Sequence, residues 1–282
     1  MLSLPIAATS LFECHILDTG YCLALEAVMV RGGRLKVVQC HSVVALLRHP
    51  QHGWMLWDAG YAPRLLDATG RWPFRLYRMA TPLKIEGCPP LEAQLERFGL
   101  APDDIKTVVL SHLHADHIAG VRDFPKAQFV LTREAFEDAR ARTGWKALKR
   151  AFVPQLLPDD FEERTTLLPN FEGPEAGPLG GTHDLWGDGS CVLVSLPGHA
   201  RGQIGMIAST TRGRMFFVAD GCWHRQSLRD GCAPHPLTNL VVDNPKEVVS
   251  TVRKLRQFAH DYPEVTMVPT HCPESFGDLV VS

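Results

Sequence analysis

Short β-prone runs open the chain at 11–18 (LFECHILD), 23–30 (LALEAVMV), 41–48 (HSVVALLR) and 53–58 (GWMLWD). Turn-forming residues separate them, which predicts a meandering sheet. The rhythm changes at residue 91. Leu91, Leu95 and Phe98 recur at helical spacing, and Gly99 stands where a helix ends, so a short amphipathic helix is expected. KTVVLS (106–111) and QFVL (128–131) then read as strands, and REAFEDARAR (133–142) as a helix. CVLVS, IGMIA and RMFFVA are later strands. Near the end, Asn244, Pro245 and Glu247 have the spacing of an N-cap, a first-turn proline and a capping acid. The helix they open should bury Val248, Val249, Val252 and Leu255.

Two stretches depart from this alternation. Residues 61–90 mix Arg64, Arg71, Arg75 and Arg78 with Trp72, Phe74, Leu76, Tyr77 and Met79, and residues 153–185 are rich in Pro, Gly and acids. Both read as long surface excursions. β runs followed by strand–helix alternation, twice over, predict two similar halves packed as a sandwich with helices outside, a single domain over 1–282.

Composition excludes several classes of protein. With 45% hydrophobic and 21% charged residues, the chain has enough apolar content for a large core. A net charge of −2 gives no pull toward nucleic acid. The N-terminus lacks the basic start of a secretory signal, and no apolar run reaches the ~20 residues of a membrane helix. Neither nucleic acid nor membrane is therefore expected as a partner. The eight cysteines form no CxxC pair, which fits reduced thiols in a cytoplasmic protein. Cys222 and Cys272 adjoin candidate ligands, but as small apolar residues they are expected to be simply buried.

SHLHADH (111–117) carries the chemistry. His112, His114, Asp116 and His117 fall within six residues directly after a strand, a pattern expected by chance in roughly two chains per thousand of this composition. His112 and His114 leave an extended segment on one face, where both imidazoles can reach one ion, and Asp116 and His117 can serve a second. Further ligands must come from elsewhere. His199 after CVLVS, Asp220 after MFFVA and His271 after VTM each follow an apolar strand, where α/β enzymes commonly place functional groups.

WDAG (57–60), HLHADH, PGHARG and the Asp220 and His271 segments together resemble, in order, the five motifs of the metallo-β-lactamase superfamily. The resemblance implies a four-layer αββα sandwich with two metal ions at one edge, zinc first and manganese or iron as alternatives. His112, His114 and His199 would hold one ion, and Asp116, His117 and His271 the other. Asp220 would bridge them and Asp58 would orient the His loop from behind. Two such ions share and acidify a water, so the implied activity is hydrolysis through a metal-bridging hydroxide, with Asp116 as proton shuttle.

Within the superfamily the chain looks most like the N-acyl homoserine lactonase group, on LDTGYC, HSVVALLRHPQHGWMLWDAG, FGLAPDDIKTVVLSHLHADH and HDLWGDGSCVLVSLPGHARGQ. The expected substrate is a small molecule with a carboxyl-ester-type bond, an acyl or aryl lactone or thioester. Thioesterase and phosphodiesterase activities on the same fold are the alternatives, and a non-catalytic binding protein would be expected to have lost ligands. One position departs from the group. Trp223 stands where a tyrosine usually helps bind the substrate carbonyl, and this third candidate catalytic residue shifts the expectation from homoserine lactones toward thioesters or aryl esters.

Overall fold

A computed structural model describes Leu4 and residues 6–280. The expected domain bounds, 1 and 282, lie outside the described residues. Strands β1 (Glu13–Leu25), β2 (Val37–His49), β3 (Gly53–Trp57), β4 (Leu83–Lys84), β5 (Ile105–Val109), β6 (Gln128–Thr132) and β7 (Thr165–Leu168) form one sheet, in the order β4-β1-β2-β3-β5-β6-β7. A second sheet, in the order β12-β11-β10-β9-β8, is built from β8 (Thr182–Asp184), β9 (Cys191–Ser195), β10 (Ile204–Thr210), β11 (Gly213–Ala219) and β12 (Thr266–Pro269).

Alternation of apolar side chains assigns the layers. Along β3, Met55 and Trp57 pack between the sheets, while Leu56 faces the outer helices. Along β11, Met215, Phe217 and Ala219 point inward, and Phe216 and Val218 point out to the helix Pro245–Asp261. Each sheet is thus apolar on both faces and needs a second cover, and the helices supply it. The result is the expected four-layer αββα sandwich.

Several expected elements are corrected. The runs 11–18 and 23–30 are not two strands. β1 continues through Thr19–Gly20 by a bulge, because both residues oppose the single Ser42 of β2. The end of the second run turns into the helix Glu26–Met29. Residues 61–90 contain helices Arg64–Ala68 and Arg75–Ala80 and then β4; Tyr61, Ala62, Leu65 and Phe74 are buried in the outer core, while Trp72 and Met79 are exposed. The 153–185 stretch likewise contributes β7 and β8, the last strand of each sheet. Asn244 caps the helix Pro245–Asp261 as expected, accepting from the Lys246 amide at 3.1 Å. Val249, however, is 37% exposed, and the buried face is Thr251, Val252, Leu255 and Phe258. Among the described residues no helix is long and apolar enough to cross a membrane.

Candidate metal centre

Each expected ligand sits just past the end of a strand, and the two sheets bring those ends together. β5 delivers the His loop, in which His114 is extended and Ala115–Ile118 is helical, so Asp116 and His117 turn back toward His112. β9 leads to His199, β11 to Asp220 and β12 to His271. The loops are held closely. Gly198 has φ +123°, and a Cβ there would lie 2.3 Å from the Val248 amide nitrogen, so the helix Pro245–Asp261 seats directly on the His199 loop. Thr251 Oγ1 donates to the Pro197 carbonyl at 2.6 Å. Gly60, φ +59°, lets the chain after Asp58 pass Thr19, whose Oγ1 would be 2.3 Å from a Cβ.

The side chains form two groups, His112, His114, His199 and Asp220, and Asp116, His117 and His271. Within each, one donor atom per residue lies within 4.8 Å of the others. Asp220 stands between them: Oδ2 is 3.0 Å from His199 Nε2, while Oδ1 is 3.1 Å from His271 Nε2 and 3.3 Å from His117 Nε2. His114 Nδ1 and His199 Nε2 approach to 2.8 Å, and Asp116 Oδ2 lies 3.3 Å from His271 Nε2.

Hydrogen bonds behind the rings set their tautomers. Ser111 gives its hydroxyl hydrogen to Asp58 Oδ2 at 2.8 Å and so accepts from His112 Nδ1 at 3.0 Å. His117 Nδ1 donates to the same Asp58 oxygen at 2.8 Å, and His271 Nδ1 to the His41 carbonyl at 2.6 Å. All three rings therefore turn Nε2 into the centre. Asp58 also accepts the Ser111 amide at 2.8 Å, and holds this position with φ +59°, an uncommon conformation for a residue with a side chain. Its expected place behind the His loop is the one it occupies.

Burial pushes His112 and His114 well below the usual imidazole range, keeping them neutral. Burial acts the same way on His117 and His271, but the Asp58 and Asp220 carboxylates outweigh it for His117, and Asp220 for His271, which rises to about 9. Asp220 is held well below the carboxylate range because the surrounding His271, His199 and His117 overcome its own burial. His112 Nε2, His117 Nε2 and Asp220 Oδ1 are buried without a hydrogen-bond partner. Stranding three such atoms together is costly unless a cation satisfies them, and imidazole with carboxylate is a donor set for divalent ions. The residues fit the metal pair that the motifs imply.

Trp223 is placed differently from expectation. Its single N–H donates to Asp220 Oδ2 at 2.8 Å and is not free for a substrate carbonyl. Cys222 and Cys272 are buried beside the centre in neither group, as expected. Sequence reasoning passed over Ser111, although it opens the quoted motif, and over His41, whose contribution is a backbone carbonyl that no residue pattern advertises.

An αββα sandwich with converging His and Asp donors at the strand ends defines a metal-dependent hydrolase. The chain belongs to the metallo-beta-lactamase superfamily, whose family profile matches residues 37–271. It is 39% identical to the N-acyl homoserine lactonase AiiB of Agrobacterium fabrum, over 81% of this chain and 78% of the relative. AiiB of Rhizobium rhizogenes is 36% identical, over 85% and 83%. Among solved structures, an N-acyl homoserine lactone hydrolase with the product N-hexanoyl-L-homoserine bound at its catalytic metal centre superposes with a TM-score of 0.71. The match covers 98% of both chains at 17% identity. AidC, a dizinc quorum-quenching lactonase, matches with a TM-score of 0.60 over 96% and 92% of the chains at 15% identity. These two likenesses establish the fold.

Proposed function

We propose that the centre holds two zinc ions and hydrolyses the ester bond of a lactone, the N-acyl homoserine lactones on which its relatives are named being the leading class. The position of Asp220 carries this reading: one oxygen faces each group of donors, which would suit a carboxylate shared by two ions. His112, His114 and His199 would hold one ion, Asp116, His117 and His271 the other, and Asp220 both. When bound, the ions acidify a water and polarise the scissile carbonyl.

The chain's own residues do the rest. Asp58 and Ser111 fix His112 and His117 so that their Nε2 atoms meet the centre without rearrangement. Asp116 is only half-buried and is held through its backbone, where the Ser42 hydroxyl donates to its carbonyl at 2.8 Å. That leaves its carboxylate to take a proton from the attacking water and return it to the leaving alcohol oxygen. The products are a hydroxy acid and no free leaving group, because the ring opens. Because the Trp223 N–H is committed to Asp220, Trp223 does not take over the tyrosine's contact with the substrate carbonyl, and the choice of lactones rests on the named relatives.

The test is a panel of N-acyl homoserine lactones, a simple γ-lactone, an aryl thioester and a bis-aryl phosphodiester, assayed with zinc-loaded protein whose metal content is measured. A lactone specificity constant above ~10⁴ M⁻¹s⁻¹, well above the other substrates, is expected. Faster turnover of the thioester or phosphodiester, or a stoichiometry that stays at one zinc per chain, defeats the proposal.

A further inference from the structure

Three sulfur atoms converge outside the His/Asp centre. Cys22 of β1 and Cys40 of β2 are directly opposed across the strand pair, so their side chains share a face. Cys40 Sγ donates to Met29 Sδ at 3.1 Å, from the helix that follows β1. Cys40 and Met29 are buried, and Cys22 is partly exposed and gives access from solvent. Two residues further along the same face of β2, Ser42 holds the Asp116 backbone, so the sulfur cluster lies in the wall beside the hydrolytic centre.

The spacing of the two cysteines separates two uses of such a pair. The Leu23 amide donates away from β2, to the Pro82 carbonyl at 3.2 Å, while the Glu26 amide donates to Lys36 on the β2 side at 2.9 Å. Backbone groups alternate along a strand, so Cys22 turns its N–H and C=O to β2, and Cys22–Cys40 is a hydrogen-bonded pair. Such pairs stand about 5.5 Å apart at Cα, with Cβ atoms at the wide end of the cross-strand range. A disulfide needs Cβ atoms within roughly 3.5–4.5 Å. An ion inserted at about 2.3 Å from each sulfur spans a wider gap without moving the strands.

We propose that Cys22, Cys40 and Met29 form a binding site for one soft, thiophilic ion of the Cu(I) class, distinct from the His/Asp centre. Two thiolates and a thioether are a donor set that selects such an ion over the hard and borderline divalent ions suited to imidazole and carboxylate. Binding releases the two thiol protons to solvent and involves no change of oxidation state.

The test uses zinc-loaded, fully reduced protein under anaerobic conditions, titrated with Cu(I) supplied as its bicinchoninate complex. One equivalent is withdrawn, X-ray absorption at the copper edge shows a sulfur shell, and the zinc content is unchanged. Met29→Leu, close in volume, weakens Cu(I) binding at least ten-fold, the double variant Cys22→Ser/Cys40→Ser abolishes it, and Cys232→Ser leaves it unaltered. Thermal melts establish that each variant is folded, and Met29→Leu decides the matter should the double variant not fold. No uptake by the native protein, equal uptake by folded variants, a nitrogen-dominated copper shell or expulsion of zinc overturns the proposal. So does ready formation of a Cys22–Cys40 disulfide by peroxide, which would show that the pair is close enough to need no ion.

Discussion

Trp223 donates its indole N–H to Oδ2 of Asp220 at 2.8 Å, so the carboxylate between the two donor groups is oriented by a neighbour three residues away. Trp223→Phe keeps a ring edge-on to His199 but removes the hydrogen bond. A lost contact behind a ligand typically costs about 10–100-fold in metal affinity or activity. We expect a loss in that range in competition titrations against a zinc chelator, with little change in the melting temperature of the metal-free protein. Unchanged zinc affinity would mean that the indole is only packing.

Asp58 combines two demands, a left-handed backbone and a carboxylate accepting from Ser111 and His117. Asn adopts that backbone conformation more readily than Ala does. Asp58→Asn should therefore fold with modest loss of stability but bind zinc roughly 10–100-fold more weakly, because an amide cannot accept at both oxygens. Asp58→Ala should in addition destabilise the metal-free fold by about 3 kcal/mol or more, through stranded buried partners and backbone strain. Denaturant melts of both variants without metal check the difference.

Asp220→Ala should abolish hydrolysis and reduce bound metal to one ion or none, while the protein still folds. His224→Ala serves as the contrast. His224 is buried one residue beyond Trp223, but its Nδ1 accepts the Gln226 amide at 3.0 Å and caps the helix Arg225–Asp230. It should cost on the order of 1 kcal/mol, the value of a helix cap, and leave two ions in place. Elemental analysis of both purified variants distinguishes the roles.

Metal uptake should release protons. In the metal-free protein burial opposes charge on His271, but Asp220 prevails and its pKa stands at about 9. The ring therefore holds a proton at neutral pH that an ion must displace. The sign follows directly: apparent zinc affinity rises with pH up to about 9, where His271 loses its proton, and His117, which Asp58 and Asp220 also hold protonated, extends the rise. Calorimetry in buffers of differing ionisation enthalpy measures the protons released, and a heat of binding independent of buffer would contradict this.

The legibility of the chain varied with the range of the interactions involved. HLHADH was readable because its spacing is local, and His199, Asp220 and His271 because each follows an unmistakable apolar strand. The bulge in β1 was hidden, since Thr19–Gly20 carry the marks of a turn. Only the fold shows that Gly20, at φ +118°, lets the strand continue beneath Ile85. The helix Glu26–Met29 was hidden because four residues are too few to show a helical period. Trp223 could be compared with a family tyrosine from sequence, but the partner of its N–H depends on where Asp220 points, which follows from packing alone.

His112, His114, Asp116 and His117 belong to the first sheet, and His199, Asp220 and His271 to the second. Neither half of the chain owns a complete set of donors. The pair of ions would therefore act as a rivet whose hole exists only when two separately built plates are aligned, and occupancy becomes a report on docking. A defect anywhere along the buried seam between the sheets, even at Phe217 or Trp57, would reach the chemistry as a misfit between plates before any ligand had been touched.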